Sequence, residues 1–259
     1  MNLFKKFLWK EELQSITALE DFVNICRTEN VDRYEAEMNA YNNLMEFTSP
    51  CRYGGIDHIF NGLLITTNGY YITSKHCIED EAYNDANFET DKSFMTEKIC
   101  AISKKDDLAL AKMDLKKRVE SKGKPRAIRY AIETGPDLGN RPITALSRRS
   151  LGIVKRFGTI TGNYNFLGGM PEPSELSIQA TEQASEPKQK SGLYNHFTTS
   201  LGCIPGDSGG IILDADMKIM GVVSNAVVGQ NYTQAAKFTK ALDLIEFYIK
   251  TLSFRVNPK

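Results

Sequence analysis

The sequence predicts a mainly β protein with a helical segment at its N-terminal end and a single helix near its C-terminal end. Three observations carry that expectation. Leu13, Ile16, Leu19, Val23 and Cys26 recur at three- and four-residue steps with few Gly or Pro between them, which is the period of an amphipathic helix. From Asn61 onward the apolar runs are short, rich in β-branched and aromatic residues, and bounded by turn formers. Near the end, Phe238, Leu242, Ile245, Ile249 and Leu252 return to helical spacing.

Taken in order, residues 1–9 carry two lysines and a few apolar side chains, then meet Lys10, Glu11 and Glu12. They read as the first turns of the helix rather than as a signal peptide. A second helix is expected over residues 31–47, capped by Asp32 and ended by Ser49-Pro50. Leu63 to Thr67 and Tyr70 to Ser74 flank Asn68-Gly69, a strong short hairpin signal. Residues 79–97 are polar and acid-rich, as in a surface loop, and residues 98–113 hold one or two strands. Residues 116–129 read as a basic, solvated connector. Residues 151–162 look like a strand pair opening the second half of the β region. Residues 170–192 have loop composition, with a short strand possible at 176–179. Ile211 to Leu213 and Ile219 to Ser224 are two buried strands around the turn Asp214-Ala215-Asp216, and a helix follows from Lys237 to Leu252. Three units result: a helical extension over 1–50, a first β unit over 51–140 and a second over 141–259.

The composition is that of an ordinary globular protein. The 259 residues are 41% hydrophobic and 25% charged, with a formal net charge of zero, so nothing points to nucleic acid. No apolar run approaches the ~20 residues needed to span a bilayer. The five cysteines, Cys26, Cys51, Cys77, Cys100 and Cys203, are odd in number and form no spacing framework. They suit a reducing compartment, and the expected location is the cytoplasm, with secretion as an effector left open. No C-x-x-C or histidine cluster suggests a metal, and no cofactor is implied.

The most informative stretch is Gly206-Asp207-Ser208-Gly209-Gly210. Small flanking residues allow a turn tight enough to expose the serine hydroxyl. The backbone N–H groups of Gly206 and Ser208 can then converge in front of it. Such a hole stabilises the oxyanion formed on carbonyl attack by ~2.7–4 kcal/mol per donor. Serine is a weak nucleophile without a base to take its proton. His76, at the end of the run Tyr70 to Ser74, is the candidate base, and Asp107, opening Asp107-Leu108-Ala109-Leu110, is the candidate carboxylate. Asp106 competes for that role; alternation along the following strand favours Asp107. Histidine, aspartate, serine is one of three known chain orders for this triad. The remaining histidines, His58 and His196, read as structural.

These motifs resemble those of the trypsin/chymotrypsin-like serine proteases. Thr73-Ser74-Lys75-His76-Cys77 is similar to the family's T/S-A-A-H-C, Asp107 to Leu110 to its D-I-A-L, and Gly206 to Gly210 to its nucleophile motif. Gly221-Val222-Val223-Ser224 is similar to its G-I-V-S strand. The resemblance runs from about Asn61 to the end. It implies a double β-barrel with His76 and Asp107 on one barrel, Ser208 on the other and a cleft between. It also implies that Ser224 bonds Asp107, and that Ser224, Asn225 and Ala226 pair with an extended peptide by strand addition.

Further implications concern substrate and activation. Gly202 stands where trypsin-like members place a specificity aspartate, with Cys203 and Ile204 after it. No preference for Arg or Lys is therefore expected, and Ala226 narrows the pocket. The cysteine that secreted members pair with the one after the histidine is replaced by Asn61, so Cys77 is expected to be a free thiol. In zymogens a newly cut amine pairs with the acid before the serine, here Asp207. Arg52-Tyr53-Gly54-Gly55 is a poor imitation of the cut site, whereas Cys203-Ile204-Pro205-Gly206 resembles bacterial HtrA-type members that need no cut. Asp207 then needs another partner: a lysine, an arginine or backbone donors. The helical extension, an addition to the family pattern, is a candidate regulator or a dock for a protein partner. The expected activity is that of a serine endopeptidase acting on selected proteins through an acyl-enzyme. The alternatives are a silent protease-fold binding module, a protease ordered by a partner, and an acyl hydrolase of ester type.

Overall fold

The helical spacing at the N-terminal end is realised as α1 (Leu3–Thr28) and α2 (Arg33–Phe47). The computed structural model describes residues 3–28, 32–47, 51–53, 56–58, 60–79, 96–113, 140–149, 152–164, 195–226 and 232–256. Asp32 caps α2: its Oδ1 accepts from the N–H groups of Tyr34 and Glu35, satisfying two otherwise orphaned donors. The buried stripe of α1 is Ile16, Leu19, Phe22, Val23 and Cys26. Leu13, expected on that stripe, is 49% exposed, and Phe22 takes its place in the core.

β1 (Cys51–Tyr53) pairs antiparallel with β2 (Ile56–His58), Tyr53 opposite Ile56. Then comes an antiparallel sheet of β3 (Leu63–Leu64), β4 (Tyr70–Ser74), β5 (Thr96–Ser103) and β6 (Leu108–Met113), in the order β3-β4-β6-β5. A short helix, α3 (His76–Glu79), follows β4, and a 3-10 turn, Lys104–Asp106, joins β5 to β6. The second sheet comprises β7 (Pro142–Arg149), β8 (Gly152–Tyr164), β9 (His196–Thr199), β10 (Ile211–Leu213), β11 (Ile219–Ala226) and β12 (Thr233–Lys237). It closes into a barrel in the order β10-β11-β12-β9-β8-β7. The chain ends in α4 (Phe238–Val256).

Two expectations are corrected. Among the described residues only the second sheet is a closed barrel; the first is an open sheet of four strands. One reason is visible in β3, which contributes only two residues, too few to carry the sheet round on itself. The strand pair expected over 151–162 is not found: residues 152–162 belong to one long strand, β8, whose partner is the preceding β7. The expected connector at 116–129, and the expected loop at 170–192 with its strand at 176–179, lie outside the described residues, as do 80–95.

Alternation explains why the first sheet reads as nearly continuous apolar sequence. Ile72, Leu108 and Leu110 join the main core, with Leu19, Ala36, Ala40, Phe238 and Ile245. Tyr71, Ala109, Ala111 and Met113 point to the opposite face and pack with Phe60, Cys77 and Ile78. Both faces are covered, so neither needs polar residues. The barrel interior is filled by Ile143, Ala145, Ile160, Phe197, Ile212, Met220, Val223 and Ala235. α4 inserts Phe238, Leu242, Ile245, Ile249 and Leu252 beneath the first sheet, and α1 packs along α4. The two N-terminal helices thus share one core with the β region. Among the described residues no helix is long and apolar enough to cross a membrane.

Candidate functional site

His76 is presented by the end of a fully buried strand. Ser74 and Thr73 lock that strand end in place: Ser74 Oγ donates to Val223 O at 2.6 Å, and Thr73 Oγ1 to Asn61 O at 2.6 Å. Lys75 N–H donates to Asp107 O at 2.9 Å, and His76 N–H to Asp107 Oδ1 at 3.1 Å. Asp107 itself is not the first residue of the strand. It closes the 3-10 turn at φ 47°, a left-handed conformation that aspartate tolerates better than most residues, and β6 starts one residue later. That conformation turns its carboxylate toward His76.

His76 Nδ1 lies 2.8 Å from Asp107 Oδ2. A carboxylate only accepts, so Nδ1 carries the proton in this pair and Nε2 is the nitrogen left for chemistry. Ser224 Oγ donates to the same Oδ2 at 2.5 Å. The competing acid, Asp106, faces away: it accepts from Ser103 Oγ at 2.5 Å and from Asn195 Nδ2 at 2.7 Å. Asp106 therefore braces the turn while Asp107 addresses the imidazole.

Ser208 comes from the barrel side. Its Oγ lies 3.5 Å from Ser224 O, a long contact, and no hydrogen bond joins it to His76. His76 Nε2 instead lies 3.7 Å from Cys77 Sγ. Hydroxyl and imidazole are thus linked through Ser224 and Asp107 rather than directly, the loose arrangement common before a substrate binds. Among the described residues, the N–H groups of Gly206 and Ser208 have no hydrogen-bond acceptor, so both remain available to an outside oxygen.

The turn around Ser208 is wedged against the first sheet. Asn61 N–H donates to Ser208 O and Asn61 Nδ2 to Gly206 O, both at 2.8 Å. Gly209 has φ +78°, and a Cβ there would fall 1.8 Å from Asn61 O. Only glycine fits. Asn61 was expected merely to replace a cysteine; its role as the strut of the nucleophile turn has no local signature in the sequence.

Asp207 is 1% exposed and held from three sides. Ser147 Oγ donates to Oδ1 at 2.6 Å, while Arg156 Nε at 3.1 Å and the Ile204 N–H at 2.9 Å donate to Oδ2. The required partner is therefore Arg156, with Ser147 and a backbone donor. Many lysines and arginines could have filled that place, and spacing alone does not select one 51 positions away. Arg52 and Tyr53, the imitation of a cut site, lie on β1, paired with β2, instead.

The remaining candidates are placed as follows. Gly202 is half-buried in the segment leading to Ser208. Cys203 is 2% exposed, and its side chain packs in the barrel core, so what it can offer a substrate is backbone. Ser224, Asn225 and Ala226 end β11, with a bulge between Val223 and Asn225 where pairing to β12 shifts. Cys77 is a buried free thiol, and Cys26 and Cys203 are buried and in no disulfide. Among the described residues no group of His, Cys, Asp and Glu could hold a metal.

Electrostatics sort the histidines. Burial works against the His76 imidazolium, but the hydrogen bond and charge of Asp107, together with Cys77, outweigh it and push the group up to about 10. Its side chain is 39% exposed, so solvent screens much of this coupling. Burial alone would raise Asp107; the bonds from His76 and Ser224 overcome it and hold the carboxyl below its ordinary value. His196 is fully buried, and burial drives it down to about 4 against the pull of Asp106 and Asp107, which fits a neutral structural histidine. His58 lies on β2, and its side chain is outside the described residues.

No family model matches the chain, and no curated protein matches it with significance. Solved structures do. The chain is similar to a serine endoprotease from Yersinia pestis, with a TM-score of 0.52 and 17% identity over 86% of this chain and 68% of that one. The chain shares the fold of that endoprotease. A Mycobacterium tuberculosis H37Rv protein, solved in an inactive form as a serine-to-alanine mutant, aligns at a TM-score of 0.49 and 12% identity over 81% of this chain and 89% of that one. At 17% identity the likeness to the Yersinia structure speaks to the fold, and the chemistry has to be argued from the residues themselves.

Proposed function

We propose that the protein is a serine endopeptidase in which Ser208 is the nucleophile, His76 the general base and acid, and Asp107 the group that orients the imidazole. What supports this reading is the hydrogen-bonded chain from His76 through Asp107 and Ser224 to Ser208, drawn from both sheets. Ser208 Oγ attacks a scissile carbonyl and passes its proton to His76 Nε2. The oxyanion is received by the N–H groups of Gly206 and Ser208. His76 then protonates the leaving amine, and water, activated by the same imidazole, releases the acyl group from Ser208. Asp107 keeps the proton on Nδ1 and stabilises the imidazolium.

The substrate is a peptide in extended form, pairing along Ser224, Asn225 and Ala226. Gly202 leaves no charge for an Arg or Lys side chain, so small or apolar residues are preferred at the cleavage position. A second reading, a protease-fold module that waits for a partner or has lost turnover, is favoured by one observation: Ser208 Oγ makes no hydrogen bond to His76. Labelling with a fluorophosphonate probe separates the two. Wild type should label and Ser208→Ala should not; equal labelling of both, or none of either, overturns the endopeptidase reading. With active enzyme in hand, a peptide library should show little cleavage after Arg or Lys.

A further inference from the structure

The β7–β8 hairpin has two working faces. Strand alternation puts Leu146 and Lys155, directly paired, on one face, and Ala145, Ser147 and Arg156 on the other. The inner face grips Asp207 through Ser147 Oγ and Arg156 Nε. The outer face is covered by α2: Lys155 Nζ bonds Glu37 Oε1 at 2.7 Å, and Leu146 belongs to the same buried cluster as Ala36 and Ala40. A single layer of backbone therefore separates α2 from the carboxylate that anchors the nucleophile loop. That carboxylate also binds the Ile204 N–H, and Asp207 N–H donates to Ile204 O at 3.0 Å, so one side chain fixes the turn on which the Gly206 and Ser208 amides are carried.

We propose that α2 is a built-in activating element: by bracing the outer face of β7–β8 it holds Ser147 and Arg156 on Asp207, and so keeps the loop from Gly202 to Ser208 in the form that presents the oxyanion donors. Arg156 and Lys155 are positioning residues, since neither reaches the hydroxyl. This inference rests on the endopeptidase reading for its consequence in catalysis, but not for the coupling itself. A cation supplied by the strand takes the role for which other chains must free an amine. Helix, strand and loop then form one stack, and loosening the helix loosens the loop.

The test uses the full chain and two readouts: the rate of fluorophosphonate labelling, and hydrogen exchange of the peptide spanning residues 201–210. Arg156→Gln removes the grip and should slow labelling and speed loop exchange by about ten-fold each. Lys155→Glu sets two acids against each other across α2 and β8; a smaller effect of about three-fold is expected in both readouts, with an unchanged melting midpoint. The charge-swapped double variant, Glu37→Lys with Lys155→Glu, should return both readouts to wild-type values, which a merely structural defect would not do. Wild-type loop exchange in Arg156→Gln, or failure of the swap to rescue Lys155→Glu, overturns the coupling. If wild type never labels while loop exchange follows this pattern, the coupling stands and the endopeptidase reading falls. If wild type labels and the loop ignores all three variants, the reverse holds.

Discussion

Two buried aspartates, Asp107 and Asp207, are built to the same plan and do different work. Each carboxylate accepts from one serine hydroxyl, Ser224 Oγ or Ser147 Oγ, from one backbone N–H, His76 or Ile204, and from one nitrogen-bearing side chain. The nitrogen donor is His76 for Asp107 and Arg156 for Asp207. An imidazole exchanges its proton under ordinary conditions; a guanidinium does not. The first pair can therefore move a proton, whereas the second can only hold position. Exposure follows the same division: the His76 side chain is 39% exposed, while Asp207 is sealed at 1%.

The comparison can be broken most sharply at Asp107. Asp107→Asn should lower kcat on the order of 10⁴-fold, because the amide no longer enforces the tautomer with the proton on Nδ1. The variant should still fold, as judged by circular dichroism; a loss of activity under ten-fold would mean that His76 is not the base. Removing the other carboxylate should be felt in stability. Asp207→Ala strips three donors of their acceptor and should lower the unfolding free energy by about 2–4 kcal/mol in a denaturant titration. A change below about 0.5 kcal/mol would show that Arg156 and Ser147 are not bound as described. The smallest effect is the pH dependence of stability. His76 is raised above its ordinary 6.5, so its contribution is complete below 6.5 and disappears as pH climbs through about 10. Asp107 is lowered from 3.8, so its contribution is complete above 3.8 and disappears as pH falls through the lowered value. The pair should stabilise most between 3.8 and 6.5, by under about 1 kcal/mol given the exposure of His76. Melting curves of wild type and Asp107→Asn should converge at high pH; parallel curves throughout would refute the linkage.

Much of the candidate site was legible because the residues that frame it sit in short segments. The glycines around Ser208, the strand before His76 and the Asn68-Gly69 turn each declare themselves within a few residues. Asp107 was chosen over Asp106 on alternation, yet its geometry comes from a left-handed turn rather than from a strand start. The struts were not legible. Asn61 reaches residue Ser208, Arg156 reaches Asp207 and Glu37 reaches Lys155 across long separations in sequence. Such pairings are decided by how sheets and helices stack, and a single sequence carries no period that reveals them. Barrel closure was misjudged for the same reason. Strand composition announces a sheet, but the length of β3 and the register of its neighbours decide whether that sheet can bend round to meet itself.

The contact between Asn61 and the turn at Gly209 has a consequence for biosynthesis. The donor amide and the crowded oxygen of Asn61 emerge from the ribosome early, while the turn they shape emerges some 150 residues afterwards. The turn around Ser208 therefore takes its described form only once both segments have been made and have docked.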